Sequence, residues 1–505
     1  MLVGIQEELL RLHSLQLLGK LLQDKTTKGN IIWATDAYQE YGSDYEKDRE
    51  IKVHLITVIN PGIIKKRVHR ASEQQAQRTK RHAEVSTPLW LCNLMNEYAD
   101  NVWFSDGEFD GGLDTRMNWS LVPEAVPKYI NSRRLEITCG EAPFLVQRYD
   151  SSTGKILPLT ERQGLLDRKM KWVNACYADD EEKWMHWCLR AFQSIYGYEY
   201  QGDSLLIARL NMVMSFEDYM KAAFQRRPTK REFEKIINVV TWNLMQMDGI
   251  TYQIPCCKVV EAVSEESLFD EHATESIIPR TTFPYVKTYN WRRGNSIEMR
   301  HVNKGGQRDM KFDFIIGNPP FQEESSETSS KSNGQKPMTN IFHHFQIEAD
   351  KLANRGCVLV YPCGRWFHQS GKGVKNFGKE QINDKRLAKV ICYGDAKKVF
   401  PDVDIADGVS IVIKNMNKTS PGFIYTYLDK GIDITVDYEN PGDDLLPIDP
   451  RNYTIIQKID KFVEKYNLDY LHEYIWPRTL FGIESNFVEN NPDKVRLYNG
   501  GGHMI

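Results

Sequence analysis

The stretch Asp313-Phe314-Ile315-Ile316-Gly317-Asn318-Pro319-Pro320-Phe321 constrains this chain more than any other. Phe314, Ile315 and Ile316 form an apolar run of strand type, followed at once by Gly317 and two prolines. Neither proline can donate to a ladder, so the strand ends at Asn318. The product is a rigid turn that offers an amide side chain, backbone carbonyls and an aromatic face at one strand tip. Ligands of open α/β sheets sit outside the carboxyl ends of the strands, so this tip is where chemistry is expected first.

These groups suit a particular problem. An exocyclic amine on a nucleobase is a poor nucleophile, because its lone pair is delocalised into the ring. Two acceptors facing its two N–H bonds, the Asn318 side-chain oxygen and the Pro319 carbonyl, favour a pyramidal nitrogen whose lone pair can attack an electrophilic methyl. Phe321 can stack on the base, a contact worth about 1–3 kcal/mol. That is comparable to the cost of taking a base out of a duplex. The tetrapeptide Asn318-Pro319-Pro320-Phe321 resembles motif IV of the amino-methylating DNA methyltransferases, which make N6-methyladenine or N4-methylcytosine. The asparagine form is typical of the adenine enzymes.

Composition fits such a protein without requiring it. A chain of 505 residues has room for two to four domains, and 26% charged with 41% hydrophobic residues is the profile of a soluble globular protein. No apolar run approaches the length of a membrane span, and the acidic start at Glu7-Glu8 is unlike a signal peptide. Nine cysteines without a Cys-x-x-Cys pair point to reduced thiols in a bacterial-type cytoplasm and to no metal site. With a net charge of −3, any DNA contact must come from local positive charge. Two clusters offer it: Lys65, Lys66, Arg67, Arg70, Arg78, Lys80 and Arg81 against Glu73 alone, and Arg226, Arg227, Lys230 and Arg231. Each by itself reads equally as a solvated face; beside the Asn318 motif they become expected phosphate contacts.

The chain divides into three parts. Residues 1–85 form an N-terminal extension: an amphipathic helix carrying Leu9, Leu10, Leu12, Leu15, Leu17 and Leu18, a strand over Asn30 to Ala34, and the first basic segment. Residues 86–420 alternate strand and helix patterns, which predicts an α/β, Rossmann-like fold with a mostly parallel sheet. Within them, 322–337 is polar and of low complexity, either a lid over an extruded base or a surface insertion. Residues 421–505 are punctuated by Pro421-Gly422, Pro441-Gly442, Pro447 and Pro450 and read as a separate C-terminal region.

Upstream of Asn318 lie the pieces of a cofactor site. Arg134 to Leu145 reads as strand, tight turn at Gly140 and helix start; a glycine there lets backbone approach a ligand closely. Ser194 to Glu199 is a strand ending in an acid, which can accept from ribose hydroxyls, and Ser204 to Leu210 is helical. Asp248 ends the next apolar run, placed to accept from an adenine amino group, and Ser86-Thr87-Pro88 precedes the whole set.

Taken in this order, the motifs resemble the gamma class of N6-adenine DNA methyltransferases, and within it the Eco57I-like restriction-modification methylases. The later segments Asn340 to Phe345, Gly356 to Pro362, Val399-Phe400-Pro401 and Gly408-Val409-Ser410 look like that family's later motifs, so the likeness spans roughly 30–420. The resemblance implies S-adenosylmethionine as methyl donor, with S-adenosylhomocysteine as product. It implies Thr87 on the donor's carboxylate, Glu136 on its ammonium, Thr138, Cys139 and Gly140 in the glycine loop, Glu199 on the ribose and Asp248 on the adenine. It implies Asn318, Pro319, Pro320 and Phe321 as the catalytic turn around a flipped adenine, and duplex DNA as substrate. A cognate restriction endonuclease or recognition subunit is an expected partner, in a restriction-modification or phage-defence setting. Two departures stand out: Glu141 and Pro143 intrude on the glycine loop, and Ser86 stands where family members often carry Phe. Recognition regions in this family are large, so 421–505 is expected to be a partial one, beginning near Trp476 to Ile483, either truncated or completed by a partner subunit. N4-cytosine, protein or RNA amino groups remain open as substrates, as does a non-catalytic DNA-binding module. A fused nuclease is disfavoured, because Pro401-Asp402 has no acidic partner with a nearby lysine.

Overall fold

Nine strands build one sheet, and its order explains why residues far apart in sequence meet. The computed structural model describes residues 4–70, 85–105, 124–257, 259–265, 276–302, 310–324, 338–369, 373–401, 403, 405, 408–438 and 446–469. The strands are β1 (Arg134–Ile137), β2 (Ile195–Glu199), β3 (Leu244–Gln246), β4 (Phe312–Gly317), β5 (Ala353–Pro362), β6 (Leu387–Tyr393), β7 (Val409–Asn415), β8 (Phe423–Asp429) and β9 (Ile432–Tyr438). They lie in the order β9-β8-β6-β7-β5-β4-β1-β2-β3. Neighbours from β5 through β3 are parallel, β7 runs antiparallel between β5 and β6, and β8 is parallel to β6. This is the mostly parallel α/β sheet expected from the sequence. β1, β2 and β3 are buried throughout, as strands covered on both faces must be.

Helices cover the sheet: α1 (Ile5–Ser14), α2 (Leu89–Phe104), α3 (Leu165–Tyr177), α4 (Glu181–Gln193), α5 (Gly202–Phe224), α6 (Lys230–Asn243) and α7 (Phe342–Leu352). The local signals are ordinary ones. Asp180 caps α4 by accepting from Lys183 N, and Thr229 with Glu232 makes a reciprocal capping box on α6. The 23-residue α5 is buried along most of its length, on the side facing the sheet and on the side facing the N-terminal extension. Arg209 sits inside it, wholly buried, and donates to the carbonyls of Leu21, Gln23 and Leu244. Buried backbone acceptors from the extension and from β3 are thereby satisfied by a single guanidinium.

Four local expectations differ from the structure. The expected single N-terminal helix is broken: α1 stops at Ser14, Gln16 turns left-handed, and a short helix resumes at Leu18–Leu22. Asn30 to Ala34 is extended but makes only isolated bridges, because Gln246 at the end of β3 binds Ile32 with its side chain, accepting from Ile32 N and donating to Ile32 O at 2.8 Å each. No helix starts after Gly140. The chain instead makes a single turn at Ala142, whose carbonyl accepts from Leu145 N and Val146 N, and loops to Gly164 before α3. Finally, the first compact unit runs to Ile448 rather than ending near 420, since β8 and β9 extend the sheet as a hairpin turning at Lys430-Gly431, both at positive φ.

The second unit spans 449–505. Its described part is a helix, α8 (Tyr453–Tyr466), with Ile455, Ile459, Phe462 and Tyr466 exposed along one stripe. The expected recognition-region start at Trp476 to Ile483 lies outside the described residues, as do Arg78, Lys80, Arg81 and 325–337 of the polar segment. The described ends of that segment, Gln322–Glu324 and Met338–Asn340, pair as an antiparallel ribbon.

Candidate active site

The carboxyl tips of β3, β2, β1 and β4 stand side by side, and each carries a residue singled out in the sequence. At the β4 tip, Gly317 is obligatory: a Cβ there would come within 2.5 Å of Ile137 Cγ1 and 2.6 Å of Ile137 O. This close approach sets Asn318 against the β1 turn. Thr138 Oγ1 lies between two carbonyls, Ile137 at 2.7 Å and Asn318 at 3.2 Å, and its single proton is shared between them. From the other side the Asn318 amide nitrogen donates to Thr87 Oγ1 at 3.1 Å. Thr87 is fixed in turn, its carbonyl accepting from Ser151 Oγ at 2.6 Å. Two threonines from distant segments thus hold the asparagine, and its side-chain oxygen is left to accept.

The β1 turn is strained. Thr138, Gly140 and Ala142 all have positive φ, at 50°, 53° and 65°. For the two non-glycine residues this costs on the order of 1–3 kcal/mol each, and such strain persists only where the surroundings impose it. Here Cys139 N donates to Tyr198 O at 2.8 Å and Gly140 N to Glu199 Oε2 at 2.8 Å, so β2 holds the turn open.

Thr87, Glu136, Thr138, Cys139, Gly140 and Asn318 line one cleft, together with Arg67, Ser86, Glu141, Pro143, Phe144, Ser151 and Ser204. Glu136 is buried at its base and accepts from Leu145 N at 3.2 Å. Burial pushes its carboxyl well above the usual range, against the pull of the Phe144 and Leu145 amides. Cys139 contributes backbone; its thiol turns inward against Gly197. Glu199 stands behind the turn, its Oε1 accepting from Gln201 N at 3.0 Å. Asp248 is half-buried past the end of β3, where Oδ1 accepts from Ile250 N and Thr251 N and shapes a turn. It is not among the residues lining the cleft.

Around the tip, Pro319 is buried, Pro320 half-buried, and the half-buried Phe321 ring meets Phe400 edge-on at 6.2 Å. That contact joins two segments which sequence reading had matched separately to early and late motifs. Sequence reading missed Glu141, Tyr149 and Ser151 as site-builders. Only Glu141 left a signal, as a carboxylate out of place in a glycine loop.

The basic residues part company. Lys65 is exposed and Arg67 reaches the cleft. Lys66 is buried over the Tyr149 ring, its nitrogen 3.6 Å from the centroid. Arg70 is buried against Asp203, 3.1 Å away. Arg226, Arg227 and Lys230 follow the far end of α5, about 34 Å along that helix from the β2 tip. There Arg226 binds Glu232 and Glu181, Arg227 lies 3.5 Å from Glu217, and Lys230 donates to Gln16 at 2.9 Å. Among the described residues no cluster of His, Cys, Asp or Glu could hold a metal ion, and no helix is long and apolar enough to cross a membrane.

Comparison with known proteins bears on the β2-to-Phe400 part of this site. A curated protein of Mycoplasma pneumoniae, described as an uncharacterized adenine-specific methylase, is 29% identical over 142 residues. That match covers 28% of this chain and 32% of the other, so about a third of the relative's length is spanned. A type I restriction-modification methyltransferase subunit from Streptococcus thermophilus superposes over 77% of this chain and 54% of its own, at 14% identity and a TM-score of 0.32. A modification subunit of a type I restriction enzyme from Vibrio vulnificus gives 78% and 59%, at 11% identity and 0.33. Residues 193–400, which contain the β2, β3 and β4 tips and the Asn318 turn, match the family of Eco57I restriction-modification methylases, the family that the sequence motifs resemble.

Proposed function

We propose that this chain is a DNA adenine-N6 methyltransferase that uses S-adenosylmethionine and acts on an adenine flipped out of the duplex. The observation that carries the reading is Asn318 at the β4 tip, clamped between Thr87 and Thr138 beside the β1 turn. The family match over 193–400 supports it.

The residues fit the donor. Gly140 adopts a left-handed backbone with open space where a Cβ would be, so a ligand can approach the turn closely. Glu136 offers a buried acid to an ammonium. Asp248 accepts two amides on Oδ1 and has a second carboxylate oxygen, and Glu199 stands at the β2 tip beside the turn. Bound there, S-adenosylmethionine supplies an electrophilic methyl. The chain does the rest: Asn318 Oδ1 and the Pro319 carbonyl orient the amine, with Thr138 Oγ1 beside the Asn318 carbonyl. Phe321, backed by Phe400, stacks on the base. Direct transfer to nitrogen needs no activated cysteine, and all nine cysteines are free thiols, consistent with a reducing, cytoplasmic setting. DNA recognition and any cognate nuclease belong to partners or to the C-terminal region.

The test is methyl transfer from labelled S-adenosylmethionine to mixed-sequence duplex DNA, with the product nucleoside identified. Label in N6-methyladenine is expected; label in N4-methylcytosine would redirect the substrate and leave the mechanism. Asn318→Ala is expected to abolish transfer while S-adenosylhomocysteine still binds within about twofold, because the amide contacts the amine and not the donor. Transfer that survives in this variant sinks the mechanism.

A further inference from the structure

A cavity of about 410 Å³ lies between the short helix Leu18–Leu22, the loop that follows it, and α6. It shares no lining residue with the Asn318 cleft. Its walls include Asn238 and Thr241 from the last turns of α6, which leads into the amino end of β3, whereas the cleft lies at the carboxyl tips. Three lysines line the cavity. Lys20 is paired with Glu234 at 2.8 Å. Lys25 and Lys28 have no ion-pair partner among the described residues, and both stand over one ring, that of Trp242, at 5.9 and 5.5 Å from its centroid. Lys25 donates to neutral amide oxygens, Gln23 Oε1 at 2.9 Å and Asn238 Oδ1 at 3.2 Å. Asp24 uses its Oδ2 to close the loop, accepting from Thr26 N, Thr27 N and Thr27 Oγ1. Arg209, wholly buried, donates to neutral carbonyls. Burial, with Arg209 and Lys28 nearby, lowers the Lys25 ammonium below its ordinary 10.5 against the pull of Asp24.

We propose that this cavity is a second binding site, for the phosphate of a small phosphate monoester such as a nucleotide or sugar phosphate, held by Lys25 and Lys28 with the amides of Gln23 and Asn238. The charge pattern argues for an anion. Two ammoniums over one ring repel each other, and a half-buried cation is costly unless a counter-charge meets it. A dianionic phosphate satisfies both lysines at once, and lysine binds phosphate as a compact point charge. Gln23 and Asn238 turn their oxygens to Lys25, so their NH2 groups remain as donors to the other phosphate oxygens. The shape argues for a small ligand. The volume falls in the range of small-molecule sites, about 300–1,000 Å³, and exceeds what a lone phosphate fills, which leaves room for the group it is esterified to. A duplex on the Asn318 turn lies at the opposite end of the strands, so the DNA backbone is not the phosphate that this cavity suits.

The experiment is calorimetric titration of the full chain with uridine 5′-monophosphate, with ribose 5-phosphate and with uridine, probes that carry no adenine for the donor cleft. The wild-type chain is expected to bind the monophosphate and to bind uridine at least about tenfold more weakly. Lys25→Gln and Lys28→Gln are each expected to weaken the monophosphate about tenfold to a hundredfold. Lys235→Gln, exposed on α6 outside the cavity, should stay within about twofold. Ribose 5-phosphate that binds as tightly supports a sugar phosphate as the ligand; binding of the uridine nucleotide alone supports a nucleotide. An equal loss in Lys235→Gln overturns the assignment, since it marks general charge attraction. Displacement of the monophosphate by saturating S-adenosylhomocysteine also overturns it, by placing the probe in the donor cleft. A loss of duplex DNA affinity in the Lys25 and Lys28 variants, with monophosphate binding unchanged, overturns it in favour of a backbone contact. If Lys25→Gln does not fold, the exposed Lys28→Gln decides alone: a loss supports the site and no loss overturns it. A wild-type chain that binds neither phosphate overturns it outright and leaves the methyltransferase reading untouched.

Discussion

Residues 65–70 and 226–231 look alike in sequence, and the fold uses them in opposite ways. The first segment is drawn inward. Lys66 and Arg70 are buried, and their partners, Tyr149 and Asp203, lie on the β1 loop and at the start of α5, beside the cleft. The second stays at the surface: Arg226 braces the capping box of α6 at the end of α5 remote from the cleft. Charge density in the sequence is the same kind of signal in both; burial decides what it does. A buried cation must be paired or it is not tolerated, whereas an exposed one is held by little.

The largest expected consequence is at Arg70. Arg70→Ala strands the Asp203 carboxylate, whose side chain is fully buried, and such a loss costs about 3–5 kcal/mol. A denaturation midpoint measured against wild type checks this, and adding Asp203→Asn should recover much of the loss. An Arg70→Ala chain of unchanged stability but reduced DNA affinity would break the comparison and return Arg70 to the phosphate contacts.

Next, the two segments should respond at opposite ends of the pH scale. Burial, with Arg148 nearby, lowers the Lys66 ammonium below its ordinary 10.5. The folded chain then binds fewer protons than the unfolded one between that lowered value and 10.5, so stability rises as pH climbs through this interval. Lys66→Met should remove the rise. In the second segment, hydrogen bonding from Arg226 holds Glu232 down at about 2. Its contribution is present above the ordinary 4.5 and is lost as pH falls from there toward about 2. Stability curves of Lys66→Met and Glu232→Gln, recorded from acid to alkaline pH, should flatten at opposite limbs. Flattening at the same limb would contradict the division.

The smaller effects belong to the outer segment. Arg226→Ala should cost about 0.5–1 kcal/mol, since its partners are partly exposed. Smallest of all, Arg227→Ala and Lys230→Ala should leave DNA affinity and its salt dependence unchanged, because these residues lie about 34 Å along α5 from the β2 tip. A reduced salt slope in either variant would show that DNA reaches that end.

Much of the site was legible because its parts are local. Phe314-Ile315-Ile316-Gly317 before two prolines can only be a strand that stops. The helix expected after Gly140 was not legible. Its absence goes with β2 holding Cys139 and Gly140 in place, the latter through Glu199, 59 positions away. Nor was the joining of β8 and β9 to the sheet, since the Pro421-Gly422 pair that marks a boundary in sequence only precedes a strand here.

The sequence by itself determined the alternation of strand and helix, the Asn318-Pro319-Pro320-Phe321 turn, and the acids that end successive strands. These follow from periodicity, from proline's missing N–H and from glycine's missing Cβ, all properties of neighbouring residues. Tertiary structure alone decided which of those residues share a cleft and which charges are spent inside the protein. The Asn318–Thr87 bond spans 231 positions, Arg70–Asp203 spans 133 and Arg67–Glu141 spans 74. Pairings at such distances are set by sheet order and by the need to satisfy buried polar groups once the layers close, and no local pattern encodes either.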